Sequence, residues 1–207
     1  KKTLIQVRNL AIGHKDRPLF ADISFDICEG DVILLCGANG SGKTTLLKAL
    51  TEIRSEVEIA MIPTRIPKIK GFTLNEFINL SCYNKQNADS DKALKKLALS
   101  HLADRDISTL SDGEFQKGTI AAAIAKGAEI ILMDEPTAFL DTENRRNVLS
   151  TLRKLCEETG TAVIFSSHDL YEALETCNKV IALGADRQCH ISSENLKDTI
   201  SAIFSKD

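Results

Sequence analysis

An unbroken apolar run, Val-Ile-Leu-Leu-Cys at residues 32–36, leads directly into Gly37-Ala-Asn-Gly-Ser-Gly-Lys43-Thr44. The octet satisfies G-x-x-x-x-G-K-[ST] at every position and stands where that pattern has meaning, between a buried strand and a helix. Glycines at 37, 40 and 42 let the backbone curl until successive N–H groups point inward as an anion nest. The helix start at Lys43 adds its dipole, and the Lys43 ammonium supplies a point charge for β- and γ-phosphates. A glycine turn that merely caps a helix is the plainer alternative, but it explains neither the lysine nor the hydroxyl that follows it. This loop selects a layered α/β chain with a phosphate site at the carboxyl edge of its sheet.

The rest of the sequence fits that frame. Residues 4–7, 23–27 and 59–62 read as short strands, the last closed by Pro63. Residues 129–133 and 162–166 are continuously apolar and suit strands covered on both faces, and 179–183 is a final strand. Helices are expected at 43–50, 113–126 (ended by Gly127), 142–158 (ended by Gly160) and 169–176. Between 71 and 127 the character is helical: Thr73-Leu-Asn-Glu76 is a capping-box pattern, and 90–102 repeats apolar positions at helical spacing. Apolar strands alternating with helices imply a mostly parallel sheet.

Composition narrows the classes further. Of the 207 residues, 26 are Lys or Arg and 29 are Asp or Glu, a net charge of −3. That balance argues against a nucleic-acid partner. No apolar run approaches the ~18 residues of a spanning helix, so a cytoplasmic location is expected. The six cysteines form no CxxC pair and read as small core hydrophobes.

Two further segments carry chemistry. The run Ile130-Ile-Leu-Met-Asp134-Glu135 delivers two carboxylates at the end of a buried strand. Asp134 can hold Mg²⁺ with the Thr44 hydroxyl, while Glu135 can orient or deprotonate an attacking water. Ser166-Ser-His168-Asp169 likewise follows a buried strand, and His168 can hydrogen-bond a γ-phosphate. Asp169 with Glu172 has capping-box spacing.

Taken with Leu110-Ser-Asp-Gly-Glu114 and Ala138-Phe-Leu-Asp141, these segments are similar, in order, to the motifs of the nucleotide-binding subunit of ATP-binding cassette (ABC) transporters. The resemblance runs from about Leu4 to Leu183. It implies a phosphate-loop NTPase of ABC type: an α/β fold with a mostly parallel sheet, a small antiparallel β-subdomain and an inserted helical subdomain at about 71–127 of a single 1–207 domain. The implied cofactors are ATP and Mg²⁺. The implied nucleotide-binding residues are His14, Gly37, Asn39, Gly40, Ser41, Gly42, Lys43, Thr44, Thr45 and Asp141, with Thr44 and Asp134 on the metal and Glu135 and His168 catalytic. Ser111 and the Gly113 backbone would contact the γ-phosphate held by a second copy, giving a head-to-tail homodimer.

The resemblance also implies an integral membrane permease as partner, docked near residues 72–84, and an extracytoplasmic binding protein acting indirectly. The chain would lie peripherally on the cytoplasmic face of the membrane and power transport of a solute. The Ser-Asp-Gly-Glu variant is similar to importers of iron–siderophore, haem or cobalamin type, which points to uptake of a metal chelate. A soluble cluster-assembly ATPase and an exporter subunit are the alternatives.

The sequence departs from the family at three places. Asp112 and Glu114 replace a glycine and a glutamine of the signature. His14 stands where an aromatic residue usually stacks on adenine. Thr64 stands where a glutamine usually follows the strand at 59–62. Only 21 residues (64 − 43) separate Lys43 from Thr64, which predicts a trimmed subunit.

Overall fold

The computed structural model describes residues 1–14, 16–83, 85 and 88–204. Two long strands, β1 (Thr3–His14) and β2 (Arg17–Cys28), form an antiparallel pair of their own. The remaining strands are β3 (Val32–Gly37), β4 (Ile59–Ile62), β5 (Ile130–Met133), β6 (Ala162–Ser166), β7 (Lys179–Leu183) and β8 (Cys189–Ser192). They build one sheet in the order β4-β5-β6-β3-β7-β8, parallel except for β8. Strands β3, β5 and β6 are buried at every residue, as their unalternating sequences require.

Helices α1 (Lys43–Thr51), α2 (Leu74–Ser81), α3 (Ser90–Lys96), α4 (Asp112–Ala125), α5 (Thr142–Thr159), α6 (Leu170–Thr176) and α7 (Leu196–Phe204) complete the chain. Two cores flank the sheet. One joins Ile33, Leu35 and Ile164 to Leu46, Leu47 and Leu50 of α1 and to the β1–β2 pair. The other joins Leu34, Met133 and Phe165 to α2–α5. Within the second, Leu74 packs so close to Gly118 that a Cβ there would lie 2.7 Å from Leu74 Cδ1.

Three details differ from the sequence expectation. The helical pattern at 90–102 is not one helix: α3 stops at Lys96, and Ala98 takes a left-handed φ of 56°. The amide of Leu99 donates to the Leu94 carbonyl at 2.8 Å and that of Ala98 to the Lys95 carbonyl at 3.1 Å, a Schellman termination. Leu94 and Leu99 are both buried, so the chain reverses to pack its own apolar stripe. The Asp169 side chain does not cap α6; it pairs with Arg145 of α5. Strand β8 and helix α7 extend the chain past 183, beyond the expected final strand.

Candidate functional site

The site grows from the carboxyl ends of β3, β5 and β6. Gly40 and Gly42 take left-handed φ values of 76° and 104°, which a side chain would oppose, and Gly42 hands the chain to α1. Lys43 is 7% exposed, and its ammonium donates to the Gly37 carbonyl at 2.9 Å and the Ala38 carbonyl at 3.1 Å. The Ser41 hydroxyl is buried with no hydrogen-bond partner. A curled loop holding an ammonium and an orphaned hydroxyl fits a phosphate chain. Asn39 is exposed on the same loop, and Thr45 is half-buried on α1.

Parallel register sets Met133 beside Phe165, so the next residues, Asp134 and Ser166, meet at the sheet edge. The Thr44 hydroxyl donates to Asp134 Oδ2 at 2.7 Å, and the Ser166 hydroxyl donates to Asp134 Oδ1 at 2.8 Å. The Ser166 oxygen in turn accepts the Glu135 amide at 2.8 Å. Asp134 thus has both oxygens held, while Glu135 has a left-handed φ of 49° that turns the chain away from the strand. The hydroxyl and carboxylate beside the phosphate loop are hard oxygen donors, and such a set fits Mg²⁺. Glu135 Oε1 lies 2.6 Å from His168 Nε2. Ser166 was not among the sequence-derived site residues; its position at the end of a buried strand, two before His168, was the available signal.

Other candidates lie further out. His14, at the tip of the β1–β2 pair, is exposed and 3.8 Å from Asp16. Ser111 caps α4: its hydroxyl accepts the Glu114 amide at 3.2 Å, and its amide donates to Glu114 Oε2 at 2.8 Å. That amide bond, with the Ser111 hydroxyl and nearby cations, outweighs burial and holds the Glu114 carboxyl below its ordinary value. Gly113 is buried because α5 is in the way: a Cβ there would lie 2.6 Å from Asn144 Oδ1. Asp141 caps α5 by accepting from the Asn144 amide at 2.8 Å and from Asn144 Nδ2 at 3.0 Å, and the backbone bond lowers its carboxyl. Asp112 points to Lys68, and the Arg65 guanidinium stacks 4.1 Å from the centre of the exposed Phe139 ring. Arg65, Lys68 and Asn144 carry no motif and were invisible in the sequence.

A cavity of about 350 Å³ runs from Thr64, Arg65 and Lys68 to Asp112, Glu135 and Phe139, joining the loop after β4 to the start of α4. Thr64 therefore lies in one cavity with Glu135. On α2 and beside it, Phe72, Leu80 and Tyr83 expose apolar surface, while Asn84, the end of the expected docking region, lies outside the described residues.

Comparison with known proteins identifies the family. The sequence pattern of the ABC transporter family matches residues 20–138, more than half of the chain. The chain is 30% identical over 210 residues to the iron(3+)-hydroxamate import ATP-binding protein FhuC of Bacillus subtilis, covering 86% of this chain and 78% of that one. It is 29% identical over 200 residues to the zinc import ATP-binding protein ZnuC of Cereibacter sphaeroides, covering 90% and 82%. A solved structure described as a metal-chelate type ABC transporter in an inward-facing conformation superimposes with a TM-score of 0.84 at 26% identity, covering 99% of this chain and 90% of that chain. The chain belongs to the ABC transporter family, as an ATP-binding domain that hydrolyses ATP.

Proposed function

We propose that this chain powers uptake of a metal chelate or similar solute through a separate membrane permease, by hydrolysing ATP at the edge where β3, β5 and β6 end. The observation that carries the reading is the continuous link from Thr44 through Asp134 and Ser166 to Glu135 and His168, beside Lys43. The import names of the relatives support the direction and the cargo class. No helix among the described residues is long and apolar enough to cross a membrane. We assign the chain to the cytoplasmic face, with α2 and its exposed Phe72, Leu80 and Tyr83 towards the permease.

In this mechanism Lys43 and the loop amides, with Asn39, Ser41 and Thr45 alongside, grip the triphosphate, and His14 lies on the adenine side. Thr44 and Asp134 would hold Mg²⁺, which neutralises charge on the β- and γ-phosphates when bound. Glu135 takes the proton of the attacking water, and His168 fixes the carboxylate that does so. Two copies act head to tail, with Ser111 and Gly113 of each completing the other's site and Asp141 at the junction. The whole, 1–207, acts as one domain with its helical part at 71–127 inserted between β4 and β5.

The Glu135→Gln variant tests the core of this reading. It keeps the shape and loses the base, so ATP binding persists while turnover falls by about 10²-fold or more. Equilibrium binding of a fluorescent ATP analogue beside phosphate release measures both; unchanged turnover overturns the assignment.

A further inference from the structure

Lys68 belongs to none of the motifs, yet its ammonium meets three groups at the start of α4. It donates to the Leu110 carbonyl at 2.8 Å and to Asp112 Oδ1 at 2.6 Å, and it lies 5.7 Å from the centre of the Phe115 ring. These partners bracket Ser111 and Gly113: one precedes the cap, one opens the helix and one sits a turn further in. The Lys68 side chain is 24% exposed and that of Asp112 is 63% exposed, so the pair is reached by solvent beside the helix start. A carboxylate in the first turn of a helix is drawn to the same free amides that attract a phosphate. Left free, Asp112 would compete for those amides and repel the incoming anion.

We propose that Lys68 is a positioning residue for hydrolysis: it draws the Asp112 carboxylate off the Asp112 and Gly113 amides, the Ser111 amide being held by Glu114 Oε2, and neutralises it, keeping those amides open to the phosphate of a second copy's nucleotide. This rests on the reading that Ser111 and Gly113 complete the partner's site. It explains how a chain can carry Asp at the place where the signature it resembles has Gly. The cation comes from the loop after β4, which also sends Arg65 over Phe139, so one short loop restrains both segments that face the second copy.

The experiment uses the full chain and compares Lys68→Met, Lys68→Gln, Lys68→Arg, Lys68→Met/Asp112→Asn and, as a control on the shared site, Ser111→Arg. Three readouts are taken: turnover at saturating ATP, nucleotide affinity of the dilute chain, and the thermal midpoint. Lys68→Met and Lys68→Gln lose about tenfold in turnover, the scale of one uncompensated charge beside an anion site, while nucleotide affinity of the dilute chain stays within about twofold. Lys68→Arg retains most of the turnover, and Asp112→Asn added to Lys68→Met restores it, because the unpaired carboxylate is gone. A purely structural ion pair would instead lower the midpoint and would not be rescued by a second neutralisation. Should Lys68→Met fail to fold, Lys68→Gln, which keeps a donor for the Leu110 carbonyl, still shows the same tenfold loss. Full turnover in both neutral variants while Ser111→Arg is inactive overturns the role of Lys68 alone. Full turnover in Ser111→Arg overturns the shared site and this proposal with it.

Discussion

Asp31 gathers more charge than any residue of the catalytic edge, and it lies at the other end of the sheet. It accepts from Lys179 Nζ at 2.8 Å, from Lys1 Nζ at 3.2 Å and from the Cys28 amide at 3.0 Å. Burial pushes its carboxyl up, but the Lys179 bond, the Cys28 amide and the lysine charges together outweigh that and hold it below 3.8. A depressed folded value means the folded state binds fewer protons near that pH. The stabilisation is therefore complete above about pH 4 and lost as pH falls through the lowered value. Asp31→Asn is expected to cost about 1–2 kcal/mol at neutral pH and to flatten the acid limb of stability; thermal midpoints from pH 7 to pH 3 measure both, and an unchanged acid slope refutes the assignment. The same scale explains the cysteines: burial drives the Cys36 and Cys156 thiols up to about 12, so they pack as small hydrophobes. At this scale the sequence was legible where a motif fixes a residue's neighbours, as for Lys43, Thr44 and Asp134. It was silent for Asp31, Lys68 and Arg65, whose partners lie 148, 44 and 74 residues away in sequence.

The elements were legible where local chemistry sets both ends. Thr73 shows the reciprocal capping bonds its spacing to Glu76 predicts, and Gly127 and Gly160 end their helices with left-handed φ values. The stop at Ala98 was not legible, because a non-glycine residue is held left-handed there by the burial of Leu94 and Leu99. Nor was the Asp169 partner: its spacing to Glu172 suits a cap, yet Arg145 outcompetes the helix for the carboxylate, with Glu172 bound to Arg146 at 2.9 Å. The contact between the start of α4 and α5 carries a prediction. A methyl at residue 113 would press on Asn144 Oδ1, and Asn144 is tied to Asp141 through both its amide and its side chain. Gly113→Ala should therefore cost about 1–3 kcal/mol. Adding Asn144→Ala should return part of that loss, a coupling visible in denaturant midpoints of the four-member cycle. Strict additivity of the two changes would show that the elements do not press on one another.

For the whole molecule, the sheet order brings together residues from opposite parts of the chain. Strands β3, β5 and β6 lie side by side, so Thr44, Asp134 and Ser166, up to 122 residues apart (166 − 44), share one hydrogen-bonded chain. On the proposed head-to-tail reading, each site is completed by a second copy, which makes catalysis a bimolecular property. Specific activity should then rise with protein concentration until the dimer saturates, and in the slowly hydrolysing Glu135→Gln variant the dimer read by size-exclusion with ATP present should form at lower protein concentration. Activity independent of dilution would remove the shared site. The amino-acid sequence alone pointed to the phosphate loop and the two carboxylates and settled the Thr73 cap, the glycine stops and the mostly parallel sheet, because each follows from interactions within a few residues or from unalternating apolar runs. Only the tertiary structure decided that Ser166 bridges Asp134 to Glu135, that Asp112 is claimed by Lys68, and that a side chain at 113 would meet Asn144. Those depend on which strands and helices become neighbours, a choice made by burying two cores at once, with no local signal that names the partner.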